Sequence, residues 1–299
     1  MSKKSLKTIK KVYERGENII QHLKQNKGNH NTLEMITISY DLQSGTYIRE
    51  VKKNPRFNRE YTAAIARVID ELGVKYDLLL EAGVGEATTL ANVVLKLRDK
   101  PKKVFGFDLS WSRTRYAIEY LTSKHINNSF LFTGNLFNIP LADDSIDIVY
   151  TSHTIEPNSG REKEALRELM RVTKKYLVLL EPAHEFANEE ARKRMESHGY
   201  IKNLYGSAVD LGMDVIEHRL FDHSNNHLNP TGLIVIKKDL KTHRTVRNPL
   251  VCPVTRTPLR LIKGSYFSSD SLLAYPVIKG VPCLLDENAV IATHYKRWK

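Results

Sequence analysis

The chain has 299 residues, of which 41% are apolar, and this length suits one large domain or two smaller ones. It has no run of 18 apolar residues and only two cysteines, which excludes a membrane-spanning helix and a disulfide framework. The net charge of +12 is uneven, with +7 in residues 1–60, −3 in 61–236 and +8 in 237–299, so basic flanks surround a slightly acidic centre.

The first 57 residues are predicted to form a helical extension ahead of the main domain. Residues 12–27 carry a helical apolar stripe made of Val12, Ile19, Ile20 and Leu23. Asn58 is the expected N-cap of the helix that follows and runs to Leu72. The first eleven residues hold five lysines and no acid, a pattern that fits a solvated tail or an anionic partner. Aromatic residues do not alternate with these lysines, which argues against binding of single-stranded nucleic acid.

An apolar run, Leu78 to Leu80, is predicted to be a buried strand that ends in an acid, Glu81. Gly83 and Gly85 follow at alternate positions, before a helix-like run over 88–97. A strand that passes through a glycine-rich turn into a helix is a common site for nucleotide-like ligands. Glycines let the backbone approach the ligand, because a Cβ would block it. The neighbouring carboxylate disfavours a phosphate and favours a ligand with a free amino group.

Later segments alternate between strand and helix patterns. The further strands are predicted at 102–110, 129–133, 145–152, 176–181 and 232–236. One helical pattern between them, 162–174, has its apolar residues on one face. Asp108 ends the second strand, at a distance after the glycines that is typical of an acid holding ribose hydroxyls. This alternation predicts an α/β fold with a doubly wound, mostly parallel sheet covered on both faces.

Residues 58–240 resemble the class I S-adenosylmethionine-dependent methyltransferase family. The matching segments are Glu81-x-Gly83-x-Gly85, Asp108-Leu-Ser110, Gly134-Asn-Leu136, Ile139 to Val149 and Glu168 to Val172. The resemblance implies a Rossmann-like sheet of seven strands, an enzyme, and S-adenosylmethionine as its cofactor. Two positions depart from the family pattern: Ala87 replaces the third glycine, and Asn135 replaces the usual acid at the adenine.

The same resemblance implies a role for each matching position. Glu81 and the loop after it would face the methionine end of the cofactor, Asp108 would take both ribose hydroxyls, and Asn135 would face the adenine. The expected cofactor-binding residues are Glu81, Ala82, Gly83, Gly85, Asp108, Leu109, Asn135, Leu136 and Ser152.

Three residues are candidates for the chemical step. His153 directly follows the fourth strand, and Glu156 is its expected orienting partner. His184 follows the fifth strand and is the second choice. A histidine there suits a general base for a hydroxyl acceptor, although a loop histidine is more often only a polar surface residue. The histidines lack the spacing of a metal site, so no metal is expected.

Two segments of the C-terminal region, 248–259 and 273–285, are β patterns interrupted by proline and glycine. They resemble the small zinc-ribbon-like proteins that activate methyltransferases as partner subunits. Thr255 stands where a second cysteine would be, so we expect a β module over 247–290 without zinc. Such a module would dock on the catalytic domain and complete its cleft, or serve stability or oligomerisation, and both alternatives stay open.

Three functions are compatible with these patterns. The first is O-methylation of a small molecule or sugar precursor, because 13–19 and 39–43 resemble methyltransferases of polysaccharide biosynthesis clusters. The second is methylation of RNA or protein, using the basic flanks and the activator-like module. The third is a scaffold that binds the cofactor without catalysis. The N-terminus has no apolar stretch after its charges, so no signal peptide is expected and the expected location is cytoplasmic.

Overall fold

The structure is a computed structural model and describes residues 6–17, 19–24, 32–224, 226–238, 248–295 and 297. Its centre is a sheet of seven strands in the order β3-β2-β1-β4-β5-β7-β6. The strands are β1 Leu78–Ala82, β2 Lys103–Asp108, β3 Ser129–Thr133, β4 Ile146–Ser152, β5 Thr173–Pro182, β6 Asp214–Leu220 and β7 Thr231–Lys237. The first five are parallel, whereas β7 runs antiparallel to β5 and to β6. This confirms the predicted doubly wound, mostly parallel fold.

The central strands are buried on both faces, which is why they read as apolar runs and not as alternating patterns. One face is covered by three helices: α5 Pro55–Glu71, α6 Thr88–Lys96 and α7 Trp111–Ser123. The other is covered by α8 Glu162–Val172 and α10 Leu204–Asp210 together with C-terminal residues. Helix α9, Glu189–His198, lies between α8 and α10 in sequence and packs in a separate, smaller apolar cluster.

Four short helices precede α5. They are α1 Leu6–Glu14, α2 Ile19–Lys24, α3 Leu33–Leu42 and α4 Thr46–Lys53. The single helix predicted over 12–27 is interrupted at Gly16, whose φ is +76°, and residues 25–27 lie outside the described part.

The predicted N-cap of α5 was wrong. The cap is Asn54, whose side chain accepts a hydrogen bond from the amide of Phe57 at 3.3 Å. Pro55 occupies the first helical position, where its fixed φ suits the helix and its missing N–H costs nothing. The helix therefore begins before Asn58.

The C-terminal residues form a small antiparallel sheet, and we refer to residues 248–291 as the C-terminal module. Its strands are β8 Arg260–Ile262, β9 Ser265–Ser268, β10 Leu273–Ile278, β11 Val281–Pro282 and β12 Val290–Ile291. Buried residues of the module, among them Leu259, Tyr275 and Leu284, belong to the same apolar cluster as the main domain. Cys252 and Cys283 are both buried, and neither forms a disulfide.

No helix among the described residues is both long and apolar enough to cross a membrane.

Candidate functional site

A cavity of about 340 Å³ lies at the carboxyl ends of the parallel strands, within the size range of ligand pockets. Its floor is made by the ends of β1, β2, β3 and β4, and its roof by α3, α4 and the start of α5. Eight of the predicted site residues border it: Gly83, Gly85, Asp108, Leu109, Asn135, Leu136, Ser152 and His153. The location follows from the sheet order. Strands β2 and β3 are added on one side of β1, and β4 and β5 on the other, which leaves a crevice at the carboxyl ends of β1 and β4.

The loop after β1 is held in a conformation that favours glycine. Gly83 and Gly85 have φ of +69° and +52°. A Cβ on Gly83 would overlap the side chain of Thr154, and one on Gly85 would lie 3.3 Å from the ring of Tyr47. Ala87 also has a positive φ, +55°, so the replacement of the third glycine places a Cβ in the left-handed region.

Glu81 and Ala82 do not border the cavity, which differs from the expected contact with the cofactor. Glu81 is 2% exposed and accepts a hydrogen bond from the hydroxyl of Tyr150 at 2.9 Å. Burial raises the pKa of this carboxyl to about 8. Ala82 is fully buried, and its carbonyl accepts from the Thr154 hydroxyl at 2.8 Å. Both residues support the loop from beneath.

Asp108 borders the cavity at the end of β2. Its carboxylate accepts from the amide of Gly85 at 3.1 Å and from that of Ser110 at 2.9 Å. Burial raises the pKa of this carboxyl, and the charge of Arg113 partly opposes the effect. The acid thus connects the glycine loop to the start of α7.

Asn135 lies in a tight turn after β3. Its side-chain oxygen accepts from the amide of Phe137 at 3.0 Å, and its carbonyl accepts from that of Asn138 at 3.0 Å. One lone pair of the amide oxygen is therefore already used within the turn, which the sequence did not indicate.

His153 and Glu156 come together at the end of β4, as predicted. His153 Nδ1 lies 2.5 Å from the Glu156 carboxylate, and Nε2 lies 2.9 Å from the Thr231 hydroxyl. Burial opposes protonation of His153, but the hydrogen bond and charge of Glu156 outweigh it and raise the pKa of the imidazole. Burial also opposes ionisation of Glu156, yet its bond with His153 lowers the pKa of the carboxyl. His153 has a φ of +55°, a backbone strain that is frequent at functional sites.

His184 does not line the cavity, so the structure does not support it as a second base. It lies in the short 3₁₀ turn His184–Phe186 after β5, and its Nε2 lies 3.2 Å from Glu196. The carboxylate of Glu181, three residues before His184, instead holds the loop after β4. It accepts from the amides of Thr154, Ile155 and Glu156 at 2.9, 3.1 and 3.2 Å. Burial raises the pKa of Glu181 to about 7.

Two carboxylates fix the roof helices to the floor, and neither was predicted from the sequence. The Glu86 carboxylate is fully buried and accepts from the amides of Gly45 and Ile48, each at 2.8 Å. The Asp41 carboxylate accepts from the Ser110 hydroxyl at 2.6 Å and from the amide of Ser112 at 3.0 Å. These pairs are about 40 and 70 residues apart in sequence, so local patterns could not reveal them.

Arg113 lies between the roof helices and the floor of the cavity, and it too was not predicted from the sequence. It is 1% exposed, its Nε donates to the carbonyl of Tyr40 at 2.9 Å, and its guanidinium lies 4.1 Å from the ring centroid of Tyr47. Its Nη2 is buried and has no hydrogen-bond partner among the described residues. A bare glycine loop, a strand-end carboxylate and an unpartnered buried donor together fit a polar nucleoside such as S-adenosylmethionine.

No cluster of three or more histidine, cysteine, aspartate or glutamate residues in the described ranges could hold a metal ion.

Comparison with known proteins agrees with the fold. Residues 79–176, less than half of the chain, match the family described as "Methyltransferase domain". A solved complex of the Haloferax volcanii Trm112 methyltransferase activator with a methyltransferase is similar in fold. It has a TM-score of 0.50 and 15% identity over 66% of this chain and 94% of that chain.

Two curated proteins match a short stretch of 42 residues, 13% of this chain. They are UPF0434 proteins of Hydrogenovibrio crunogenus, at 50% identity, and of Caulobacter vibrioides, at 52%. The matched stretch spans 63% and 65% of the length of these relatives.

Proposed function

We propose that this chain, an S-adenosylmethionine-dependent methyltransferase, methylates a hydroxyl group of a small molecule or of a sugar precursor. The observation that carries the proposal is that His153 borders the same cavity as the glycine loop and Asp108. A hydroxyl acceptor loses its proton as the new carbon–oxygen bond forms, so a base beside the cavity suits this acceptor.

The chain's residues would divide the work between binding and positioning. When bound, S-adenosylmethionine supplies a methyl group made electrophilic by its positively charged sulfur. Asp108 would bind the ribose hydroxyls, and Asn135 and Leu136 would bind the adenine. The roof residues Tyr40 and Tyr47 would exclude water, which strengthens the electrostatic interactions inside the cavity. Positioning of the acceptor accounts for much of the rate in such a transfer.

The Nδ1–H of His153 would donate a hydrogen bond to Glu156. Its Nε2 would take the proton that the substrate hydroxyl loses. In the structure Nε2 is engaged by the Thr231 hydroxyl at 2.9 Å. The acceptor hydroxyl would therefore replace Thr231 as the hydrogen-bond donor to Nε2. Glu156 would stabilise the imidazolium that forms, because its carboxylate lies beside Nδ1.

An acceptor screen tests this proposal. Wild-type protein is incubated with labelled S-adenosylmethionine and a library of sugars, sugar nucleotides and small alcohols. His153→Asn is expected to lower turnover by about 100-fold or more, with little change in cofactor affinity. Asparagine tolerates a positive φ, so the backbone is preserved. His184→Asn, which changes a histidine outside the cavity, is the matched control. Equal turnover of His153→Asn and wild type would remove His153 as the base.

Methylation of RNA or protein is the second candidate, favoured by the contact between the C-terminal module and the main domain. Salt separates an RNA acceptor from a neutral sugar acceptor. Binding of a phosphate backbone should weaken with a log–log slope of about −0.7 to −0.9 per phosphate contacted. A neutral sugar acceptor should show almost no dependence of KM on salt concentration.

We propose that the C-terminal module corresponds to the UPF0434 proteins, which match this chain over 42 residues. Their matched length is close to that of 248–291, and the module packs directly on the main domain. Fusion in one chain would make such a module a permanent part of the enzyme.

A further inference from the structure

The segment that follows β3 is held along its length by the C-terminal module. This segment, residues 133–142, carries the cavity residues Gly134, Asn135, Leu136 and Phe137. A turn that leaves an edge strand has no neighbouring strand of its own sheet on its outer side, so its position depends on what covers it. Here the module provides that cover.

At the start of the segment, the module extends the main sheet. Cys283 and Thr133 pair as a parallel bridge, and the amide of Leu284 donates to the Thr133 carbonyl at 3.1 Å. The same amide lies 3.2 Å from the Thr133 hydroxyl. The last residue of β3 is therefore fixed by the module as well as by β2.

At the end of the segment, a second pairing fixes the chain. The amide of Val251 donates to the Pro140 carbonyl at 3.1 Å, and the amide of Ala142 donates to the Pro249 carbonyl at 2.8 Å. Leu141 and Leu250 form an antiparallel bridge between these two bonds.

Two side chains of the module reach the middle of the segment. Arg256 Nη1 donates to the Ile139 carbonyl at 2.6 Å, and Nη2 donates to the Glu168 carboxylate at 2.9 Å. The same Glu168 oxygen accepts from the amide of Ile139 at 2.6 Å. Asp286 accepts from the side-chain amide of Asn138 at 2.8 Å. Arg171 of the main domain also donates to the Ile139 carbonyl, at 2.8 Å, so the module shares this position with it.

We propose that the C-terminal module positions the adenine-binding turn, with Arg256 and Asp286 as positioning residues that act through Ile139 and Asn138. The inference rests on the proposed adenine contact of Asn135 and Leu136. A turn that is already fixed loses little conformational freedom when a ligand binds, and this raises affinity without a new contact to the ligand. The module then determines how well the enzyme recognises the purine.

The test measures recognition of the purine separately from stability. Calorimetry on the full chain compares S-adenosylhomocysteine with S-inosylhomocysteine, which has a carbonyl in place of the adenine amino group and a proton on N1. Arg256→Ala should weaken S-adenosylhomocysteine binding by about tenfold and reduce the preference over the inosine analogue. Arg256→Lys should restore part of the affinity. Asp286→Asn should act in the same direction as Arg256→Ala. Arg260→Ala, an exposed arginine of the same module, is the matched control and should change neither value.

The outcomes separate the inference from the proposed function. Wild-type protein that binds neither compound would contradict the cofactor role itself. Wild-type binding together with an Arg256→Ala variant that melts at a lower temperature, but keeps both affinity and preference while folded, would overturn the positioning role. Equal weakening of both compounds, with an unchanged ratio, would also overturn it.

Discussion

Asp108 illustrates how one side chain at a strand end can hold two neighbouring segments together and keep acceptor capacity for a ligand. Its two carboxylate oxygens accept from Gly85 and Ser110, and the residue still borders the cavity. A carboxylate oxygen has more than one lone pair, so each can accept a further bond from a ligand hydroxyl. His153 is the second such residue, since its ring connects the cavity to Glu156 and Thr231.

Replacement of Asp108 by asparagine should remove most of the cofactor affinity. The amide offers only one acceptor and carries no charge, while hydrogen bonds to charged groups are worth about 1.5–3 kcal/mol each. We expect the Kd for S-adenosylhomocysteine, measured by calorimetry, to rise by about 100-fold. Asp222→Asn, an aspartate with 70% side-chain exposure, should bind as wild type does. An unchanged Kd in Asp108→Asn would contradict the ribose assignment.

The pH dependence of turnover should reveal the pair of His153 and Glu156. A base acts in its neutral form, and Glu156 raises the pKa of His153, so kcat should rise with pH through a pKa that is higher than the ordinary value for histidine. Glu156→Gln removes the charge that favours the imidazolium. We therefore expect the acid limb of the kcat profile to move to lower pH and the maximum to fall. The limb in Glu164→Gln, an exposed glutamate paired with Arg161, should stay in place. An unmoved limb in Glu156→Gln would show that His153 does not titrate in turnover.

At the scale of elements, the roof over the cavity depends on a few long-range polar contacts. Helix α4 has no buried residues of its own, so apolar packing contributes little to its position. Its start is instead held by Glu86, which lies in the loop between β1 and α6. Helix α3 is held in a similar way, because its own Asp41 accepts from the amide of Ser112 at the start of α7. Both carboxylates connect the roof to segments that lie beside the cavity.

Glu86→Gln should loosen α4 without unfolding the sheet. The glutamine NH₂ would face the amide of Gly45 or Ile48, two donors with no acceptor between them, at a cost of about 1–3 kcal/mol. We expect faster hydrogen exchange in peptides covering 45–53, measured by mass spectrometry, and faster release of S-adenosylhomocysteine. Glu60→Gln, on the exposed side of α5, is the control. Unchanged exchange in 45–53 would mean that α4 is held by other contacts.

At the scale of the whole molecule, the C-terminal module and the main domain share one apolar core. Leu284 is fully buried and belongs to the same cluster as Phe132 and Leu136, beside the turn after β3. The module also pairs with the β3 edge of the sheet, which removes one exposed edge. A shared core predicts that the two parts unfold together.

Leu284→Ala should destabilise the entire chain. Removal of a buried leucine side chain leaves a cavity and costs about 2–5 kcal/mol. Denaturant unfolding followed by hydrogen exchange should give one transition, at the same lowered midpoint, in peptides of the sheet and of the module. Leu261→Ala, a leucine of the module that is 60% exposed, should leave the midpoint close to wild type. Two separate transitions would contradict a common core.

The sequence by itself determined the features that depend on neighbouring residues. The strand runs, the glycine loop, the position of Asp108 at the end of β2 and the closeness of His153 to Glu156 all follow from local pattern and short spacing. Six of the seven strands of the main sheet lie within a few residues of their predicted ranges, because apolar runs mark buried strands well but hydrogen bonding sets their ends. No range was predicted for the seventh, β6, none of whose residues is buried.

Only the tertiary structure decided which of these residues face the cavity and what holds them. Glu81 turns towards Tyr150 and away from the cavity, a direction that is set by contact with a strand about 70 residues away. His184 pairs with Glu196, and Glu86 and Asp41 fix the roof, through contacts between distant segments. The turn after β3 is likewise held by residues more than 100 positions further along the chain. Local patterns carry no information about such pairs, because they form only when the sheet brings distant segments together.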